Sequence, residues 1–288
     1  MQLIEKIEEM KNYRKRIKNK GKSIGFVPTL GYLHQGHISL IKRARENCDE
    51  VVVSIFVNPL QFGPKEDYQR YPRDLSRDAE ICQKEGVDVI FAPSLKEMYP
   101  KGYSTFIDMQ GNLTQVLEGK FRPGHFKGVT TVLIKLFNIV YPDLSFFGEK
   151  DYQQALIVKK MVKDLNLDTK IVLSPTVREK DGLALSSRNS YLTLKERKAA
   201  PVLYRSLVKA KQAIEKGEED PERVICLMED LISKEPLAKI DYIDLVDPLT
   251  LERISQIKGD VLAVLAVRIG KVRLIDNMRV KKGTGYFF

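Results

Sequence analysis

The 288-residue sequence contains no tryptophan, three cysteines and three histidines. Cys48, Cys82 and Cys226 lie far apart, and no CxxC pair occurs. That spacing argues against a disulfide framework and against a zinc ribbon, so a cytoplasmic location is the default expectation. No apolar run approaches the roughly 20 residues that a membrane span needs, so no membrane partner is expected. The amino terminus, MQLIEKIEEMKNYRKRIKNKGK, mixes acids with bases and lacks the apolar core of a signal peptide. It reads as a solvated amphipathic helix. Internal repeats and low-complexity linkers are missing as well.

Apolar residues make up 43% of the chain and charged residues 30%, the profile of a globular protein with a substantial core. The length suits one large domain or two ordinary ones. Net charge is +10. Such a balance fits a nucleic-acid binder, a site for polyanionic small molecules, or a surface rich in both Lys and Glu. Aromatics do not interleave with the basic runs and there is no RNA-binding fingerprint, so no nucleic-acid partner is expected.

Through residue 175, short apolar runs alternate with helical patterns. Strands are predicted at Ser23–Val27, Glu50–Val57, Val87–Ala92, Ser104–Asp108, Leu144–Phe147 and Lys170–Leu173. Helices are predicted at His37–Asn47, Asp74–Glu85, Gly128–Val140 and Tyr152–Leu165. Runs such as VVVSIFV are continuously apolar, as in a parallel sheet buried on both faces. The expectation is an α/β fold with a Rossmann-like, doubly wound parallel sheet over residues 1–175. A smaller α+β domain follows over 176–288. Its signals are a capping box at Thr193 and Glu196 opening a helix that stops before Gly217, and an Asp220-Pro221 helix start. Strand-like runs follow at Ile240–Val246, Val261–Arg268 and Val272–Ile275, the last two joined by a Gly-Lys turn at 270–271.

Ligands of open α/β sheets sit outside the carboxyl ends of the strands. The segments that follow the predicted strands are PTLGYLHQGH, NPLQFG, GEKDYQQ and SPTVREKDGLALSSRN. They carry imidazoles, amides, a lysine, an arginine, hydroxyls and glycine backbone, a set suited to a polar, phosphate-bearing ligand. In the first segment, Gly31 and Gly36 permit a tight turn ahead of a helix whose free N–H groups favour anions. His34 and His37 can donate to phosphate oxygens. The competing readings are one histidine capping the helix while the other packs in the turn, or a metal pair. Zinc needs three or four ligands, and the third histidine, His125, stands in a distant loop. Asn58 and Gln61 suit a small hydroxy acid or ordinary turn chemistry. Lys150 offers a point charge, Asp151 a helix cap or a ribose acceptor, and Gln154 follows three residues later. Ser186, Ser187 and Arg188 suit a phosphate clamp or a polar interdomain turn.

Taken together, these segments resemble the HxGH nucleotidyltransferase superfamily, with His34-Gln35-Gly36-His37 as the motif. Within it the chain is similar to the pantoate–β-alanine ligase family. FVPTLGYLHQGH, SIFVNPLQFGPKED, RYPRDL, FRPGHFKGV, FFGEKDYQQ and LALSSRN stand in the family's order and span nearly the whole chain. The resemblance implies adenylation of pantoate by ATP with Mg²⁺ as cofactor, then attack by β-alanine to release AMP. It implies that Leu30, Gly31, Tyr32, Leu33, His34, Gln35, Gly36 and His37 contact ATP, with His37 the candidate catalytic donor and His34 beside it. Gly148, Glu149, Lys150 and Asp151 would contact the nucleotide, Lys150 by neutralising phosphate charge. Val177 would touch adenine through its backbone. Leu185, Ser186, Ser187 and Arg188 would complete the ATP site, the last three as a triphosphate clamp. Gln61 and Gln154 would hold pantoate. Gln61, supported by Asn58 and His125, would place β-alanine. Asp74 is the candidate metal ligand, without a run of neighbouring carboxylates. A homodimer is implied, with Tyr71-Pro72-Arg73 in its contact region, and the basic carboxyl-terminal run KVRLIDNMRVKK is expected to close over ATP. Leu30, Leu60 and Leu185 stand where many members have methionine, a volume-conserving exchange.

Two other classes were weighed. A nucleotidyltransferase whose product keeps AMP or CMP would yield a stable nucleotidylated product. A nucleic-acid-binding module would bind RNA or DNA with a steep salt dependence.

Overall fold

The computed structural model describes residues 1–64 and 66–281. Lys65, in the loop after NPLQFG, and Lys282, which ends the basic carboxyl-terminal run, lie outside the described residues. In chain order the elements are β1 (Gln2–Ile4), α1 (Ile7–Asn19), β2 (Ile24–Thr29), α2 (Gln35–Asn47), β3 (Glu50–Ile55), α3 (Leu75–Lys84), β4 (Val89–Phe91), α4 (Leu95–Met98), α5 (Glu118–Phe121), α6 (His125–Val140), β5 (Leu144–Gly148), α7 (Tyr152–Asp164), β6 (Lys170–Ser174), α8 (Leu194–Ala199), α9 (Val202–Glu215), α10 (Pro221–Ser233), β7 (Ala238–Val246), β8 (Val261–Ile269) and β9 (Val272–Val280). Contacts divide the chain into one unit of Met1–Glu149 with Gln153–Val177, and another of Lys150–Tyr152 with Arg178–Phe288. The expected boundary at 175/176 thus lies two residues early, and the tripeptide after β5 belongs with the second unit.

In the first unit six parallel strands run in the order β1-β4-β3-β2-β5-β6. The apolar runs alternate between two cores, as strands covered on both faces must. Phe26, Val52, Phe91 and Phe147 pack with Met10, Val129 and Met161 on one face. Val27, Val51, Val53, Ile90 and Phe146 pack with Leu40, Ile41 and Cys82 on the other. Each such large apolar side chain contributes about 1.5–3 kcal/mol by leaving water.

Strand order reverses at β2, so the carboxyl ends of β2 and β5 flank the switch point where ligands of such sheets sit. β2 pairs with β3 along six residues, Ile24 to Thr29, but with β5 only at Gly25–Leu144 and Phe26–Ser145. Past Phe26 the two strands part company, which makes room at their carboxyl ends.

Two expectations for this unit are corrected. Residues Gln2–Ile4 are a strand on β4, with Leu3 opposite Ile90, before the helix begins at Ile7. Three residues are too few to show a strand period in sequence. Ser104–Asp108 is not a strand. Ile107 N–H donates to Thr131 Oγ1 (3.0 Å) and its carbonyl accepts from Thr130 Oγ1 (2.7 Å), so α6 hydroxyls replace a strand partner.

In the second unit α9 and α10 pack on an antiparallel sheet of order β7-β8-β9. The capping box forms as expected: Glu196 N–H donates to Thr193 Oγ1, and Thr193 N–H to Glu196 Oε2. The helix it opens does not run through to Gly217. It stops at Ala199 and a new one starts at Val202, because Pro201 has no N–H to continue the ladder. Asp220 caps α10 through Glu222 N–H, with Pro221 in its first turn. Ile269 pairs with Val272, so Gly270-Lys271 is a two-residue hairpin turn, with Gly270 at φ +57°.

Candidate active site

The turn after β2 is locked by its own backbone. Thr29 Oγ1 donates to the Ser54 carbonyl (2.7 Å) and accepts from Gly31 N–H (3.1 Å). Gly31 sits at φ +87°, and Tyr32, which has a side chain, also holds a positive φ of 53°. A Cβ on Gly31 would lie 3.0 Å from Ile55 Cγ2 and 3.1 Å from Asp78 Oδ2. Asp78, on α3 and 1% exposed, accepts from Tyr32 N–H and Leu33 N–H, both at 2.7 Å. Its neighbour Arg77 donates to the Leu33 carbonyl (2.9 Å) and lies over the Tyr32 ring. Burial pushes the Asp78 carboxyl up; the two N–H donors and Arg77 pull against it.

His34 is the N-cap of α2. Its Nδ1 accepts from Gly36 N–H (3.1 Å), while His37 Nδ1 accepts from His34 N–H (3.3 Å). The rings lie 4.1 Å apart, tilted by 38°. A ring that accepts at Nδ1 is neutral and carries its proton on Nε2. Capping and donation, set against each other in the sequence reading, therefore coexist on different nitrogens of the same ring. Gln35 and Gly36 form the first turn of α2. Leu33 is fully buried and Leu30 is half-buried.

The segment after β3 is a 3₁₀ turn at Pro59–Gln61. Asn58 is fully buried and committed in four directions. Its Nδ2 donates to Gln61 Oε1 (3.2 Å) and the Gly128 carbonyl (3.0 Å), and its Oδ1 accepts from Leu60 N–H (3.3 Å) and Tyr99 OH (2.9 Å). Gly128 lets α6 come this close: a Cβ there would fall 2.1 Å from the Leu60 carbonyl oxygen. His125 is equally occupied. Arg122 Nη1 donates to its Nε2 (3.0 Å), so the ring proton is on Nδ1, which donates to the Gln61 carbonyl (2.8 Å). Burial and the Arg122 charge push His125 down to about 4. Arg122 is itself held by Glu66 through two bonds of 2.8 and 2.7 Å. Asn58 and His125 were expected beside β-alanine; their polar atoms are spent on fixing Gln61. Among the described residues, Gln61 Nε2 and the Gln154 amide make no hydrogen bond within the chain.

Gly148 ends β5 opposite Ser174, and Glu149 follows it. Val177 closes the first unit. In the second unit Lys150 lies 3.6 Å from Asp151, and its carbonyl accepts from Asn277 Nδ2 (2.8 Å). Leu185 precedes a 3₁₀ turn at Ser187–Tyr191, where Ser186 Oγ caps Arg188 N–H (3.2 Å) and Ser187 is buried. The strand-like segment ahead of it is pinned by Arg178, which meets the buried Asp276 through bonds of 2.6 and 2.9 Å. Asp74 Oδ1 caps α3 by accepting from Arg77 N–H (3.0 Å). Among the described residues no three His, Cys, Asp or Glu side chains gather as metal ligands. The chain's own groups thus do not make a cage for Mg²⁺, and the expectation of a metal ligand at Asp74 is corrected to a helix cap.

Sequence reading missed Asp78, Arg77 and Arg122. A signal for Asp78 existed: it interrupts the apolar stripe that Leu75, Ala79 and Cys82 draw along α3, where a charge must find buried partners.

A family model described as pantoate-beta-alanine ligase matches residues 2–279. A relative from Caldicellulosiruptor bescii, named pantothenate synthetase, is 56% identical over 98% of this chain and 99% of its own. Another of that name, from Carboxydothermus hydrogenoformans, is 55% identical over 96% and 98%. A crystal structure of pantoate-beta-alanine ligase (pantothenate synthetase) from Thermus thermophilus superposes with a TM-score of 0.94 at 46% identity, covering 98% of this chain and all of that one. A Francisella tularensis pantoate-beta-alanine ligase complexed with beta-gamma ATP and beta-alanine superposes with a TM-score of 0.81 at 40% identity, over 96% of this chain and 97% of that one. With the parallel sheet, the doubly capped HxGH turn and this agreement across the whole length, the chain belongs to the pantoate-beta-alanine ligase family.

Proposed function

We propose how this chain's residues carry out the reaction it catalyses, the ATP-dependent condensation of (R)-pantoate with β-alanine. The products are pantothenate, AMP and pyrophosphate, formed through pantoyl adenylate in pantothenate and coenzyme A biosynthesis. The observation that carries the mechanism is the reciprocal cap of His34 and His37 at the start of α2, beside the switch point of the sheet.

In the first step a pantoate carboxylate oxygen attacks the α-phosphorus and the bond to the bridging oxygen of pyrophosphate breaks. Charge grows on the α-phosphate and the leaving group, so fixed donors lower the barrier. His34 and His37 supply Nε2–H donors that need no proton transfer, and the helix dipole adds to them. Leu30 to Leu33 shape the turn, and Gln35 and Gly36 bring helix backbone to the phosphates. Lys150, Ser186, Ser187 and Arg188 of the second unit neutralise the triphosphate, with Leu185, Gly148, Glu149, Asp151 and Val177 at the nucleoside. Gln61 and Gln154 hold pantoate, which their uncommitted amides support. In the second step the β-alanine amine attacks the acyl carbon, AMP leaves, and the amine gives up a proton. Gln61 places β-alanine, and Asn58 and His125 act through Gln61.

Mg²⁺ enters with ATP, whose oxygens fill most of its coordination sphere. No helix of the described chain is long and apolar enough to cross a membrane, which agrees with the proposed cytoplasmic setting. A homodimer is proposed from the family resemblance at Tyr71-Pro72-Arg73, and light scattering measures it directly.

The test is pantoate-dependent exchange of pyrophosphate into ATP, with AMP released only after β-alanine is added. A stable nucleotidylated product without AMP would overturn the proposal in favour of a nucleotidyl transfer that stops at the first step.

A further inference from the structure

We propose that Asp78, with Arg77 beside it, is a positioning residue for adenylate formation: it holds the HxGH turn in the conformation in which the two histidines work. This rests on the mechanism proposed above and adds to it a residue from a different element. Three observations carry it. Gly31 and Tyr32 are consecutive residues at positive φ, a conformation that costs free energy at Tyr32 and persists only where surroundings impose it. Asp78 imposes it, one oxygen on each of the two N–H groups that follow, Tyr32 and Leu33, both at 2.7 Å. Arg77 holds the other side of Leu33 by donating to its carbonyl (2.9 Å). The next residue is His34, whose own N–H is the one that His37 Nδ1 accepts. Chain path and ring orientation are therefore linked from α3 to both imidazoles. A displacement of the turn by a fraction of an ångström moves both donors together, and donors placed for a transition state lose effect steeply with misplacement.

A carboxylate is required, because each of its oxygens serves one N–H. In Asp78→Asn one oxygen remains, and the new NH₂ faces a second N–H donor. The buried shape stays the same.

The experiment measures pantoate-dependent ATP–pyrophosphate exchange for the wild type, Asp78→Asn, His37→Ala and the double variant, with melting temperatures for all four. Asp78→Asn is expected to lower the exchange kcat by about 10- to 100-fold, with KM for pantoate within about twofold of wild type. In the His37→Ala background the same substitution should cost only a few-fold, because it acts through the group already removed. Exchange within about twofold of wild type in Asp78→Asn overturns the inference, as does a full multiplicative loss in the double variant. A wild type with no pantoate-dependent exchange would instead overturn the mechanism on which it rests. Should Asp78→Asn not fold, Arg77→Ala replaces it in the same cycle: its side chain is 43% exposed, and the same sub-multiplicative pattern with His37→Ala is expected.

Discussion

His34 and His37 each use Nδ1 to cap the other's end of one helical turn, His34 toward Gly36 N–H at 3.1 Å and His37 toward His34 N–H at 3.3 Å. Each ring thereby stays neutral with its proton on Nε2. One arrangement starts the helix and prepares two donors.

These two tasks can be separated by mutation. Asparagine keeps a capping oxygen but loses the distal donor. His34→Asn should therefore melt close to wild type, whereas His34→Ala should lose about 1 kcal/mol with the cap. Both should lose exchange activity by about 100-fold or more, the effect of removing a transition-state donor. His37→Ala should do the same. Near-wild-type pantoate activation in any of them would remove that histidine from the mechanism.

Lys150→Ala should fold and melt like the wild type. Its ion pair with Asp151 is long, at 3.6 Å, and partly exposed, and such pairs add little stability. Exchange should still fall by about 100-fold, because the point charge meets the developing phosphate charge. Circular dichroism and the exchange assay check the two halves; retained exchange would contradict the role given to Lys150.

Gly128→Ala should strike the acid subsite from behind. The added methyl would meet the Leu60 carbonyl oxygen at 2.1 Å and Gln61 N at 2.5 Å. Overpacking of this kind costs about 1–3 kcal/mol, and it pushes the turn that carries Gln61. Steady-state kinetics should show KM for pantoate rising by several-fold while KM for ATP holds. An equal rise in both would mean that the turn does not serve pantoate in particular.

His125 should make stability depend on pH. Burial, then Arg122, lowers its pKa from 6.5 to about 4. Below 6.5 the unfolded chain takes up a proton that the folded chain refuses until about 4. Stability is therefore lost as pH falls through that window, by on the order of 3 kcal/mol in full. His125→Gln lacks this titration, so its melting temperature should fall less than that of the wild type between pH 7 and pH 5. Parallel curves would show that His125 does not refuse the proton.

Much of the architecture was written in local pattern. Continuous runs such as VVVSIFV and DVIFA called for a sheet covered on both faces, and Val51, Val52 and Val53 do alternate between its two cores. Thr193 with Glu196, Asp220 with Pro221 and the Gly270-Lys271 turn acted as their chemistry required, because caps and tight turns are settled within a few residues. The HxGH turn was legible for the same reason, together with its company of segments in family order.

What a single sequence leaves to tertiary structure is everything that depends on a partner distant in the chain. Gln2–Ile4 is a strand because β4 offers it an edge, and Ser104–Asp108 is not one because Thr130 and Thr131 take its backbone groups. Asn58 and His125 had the residue types of ligands, yet packing spent their polar atoms on Gly128, Tyr99, Arg122 and Gln61. Asp78 had the pattern of a surface helix charge, yet packing buried it against the turn that shapes the site. The sequence by itself determined which chemical groups the site could contain and where each helix and strand could begin. Tertiary structure decided which of those groups hold the site and which remain to meet substrate, since a polar group's role depends on the partners that burial leaves it.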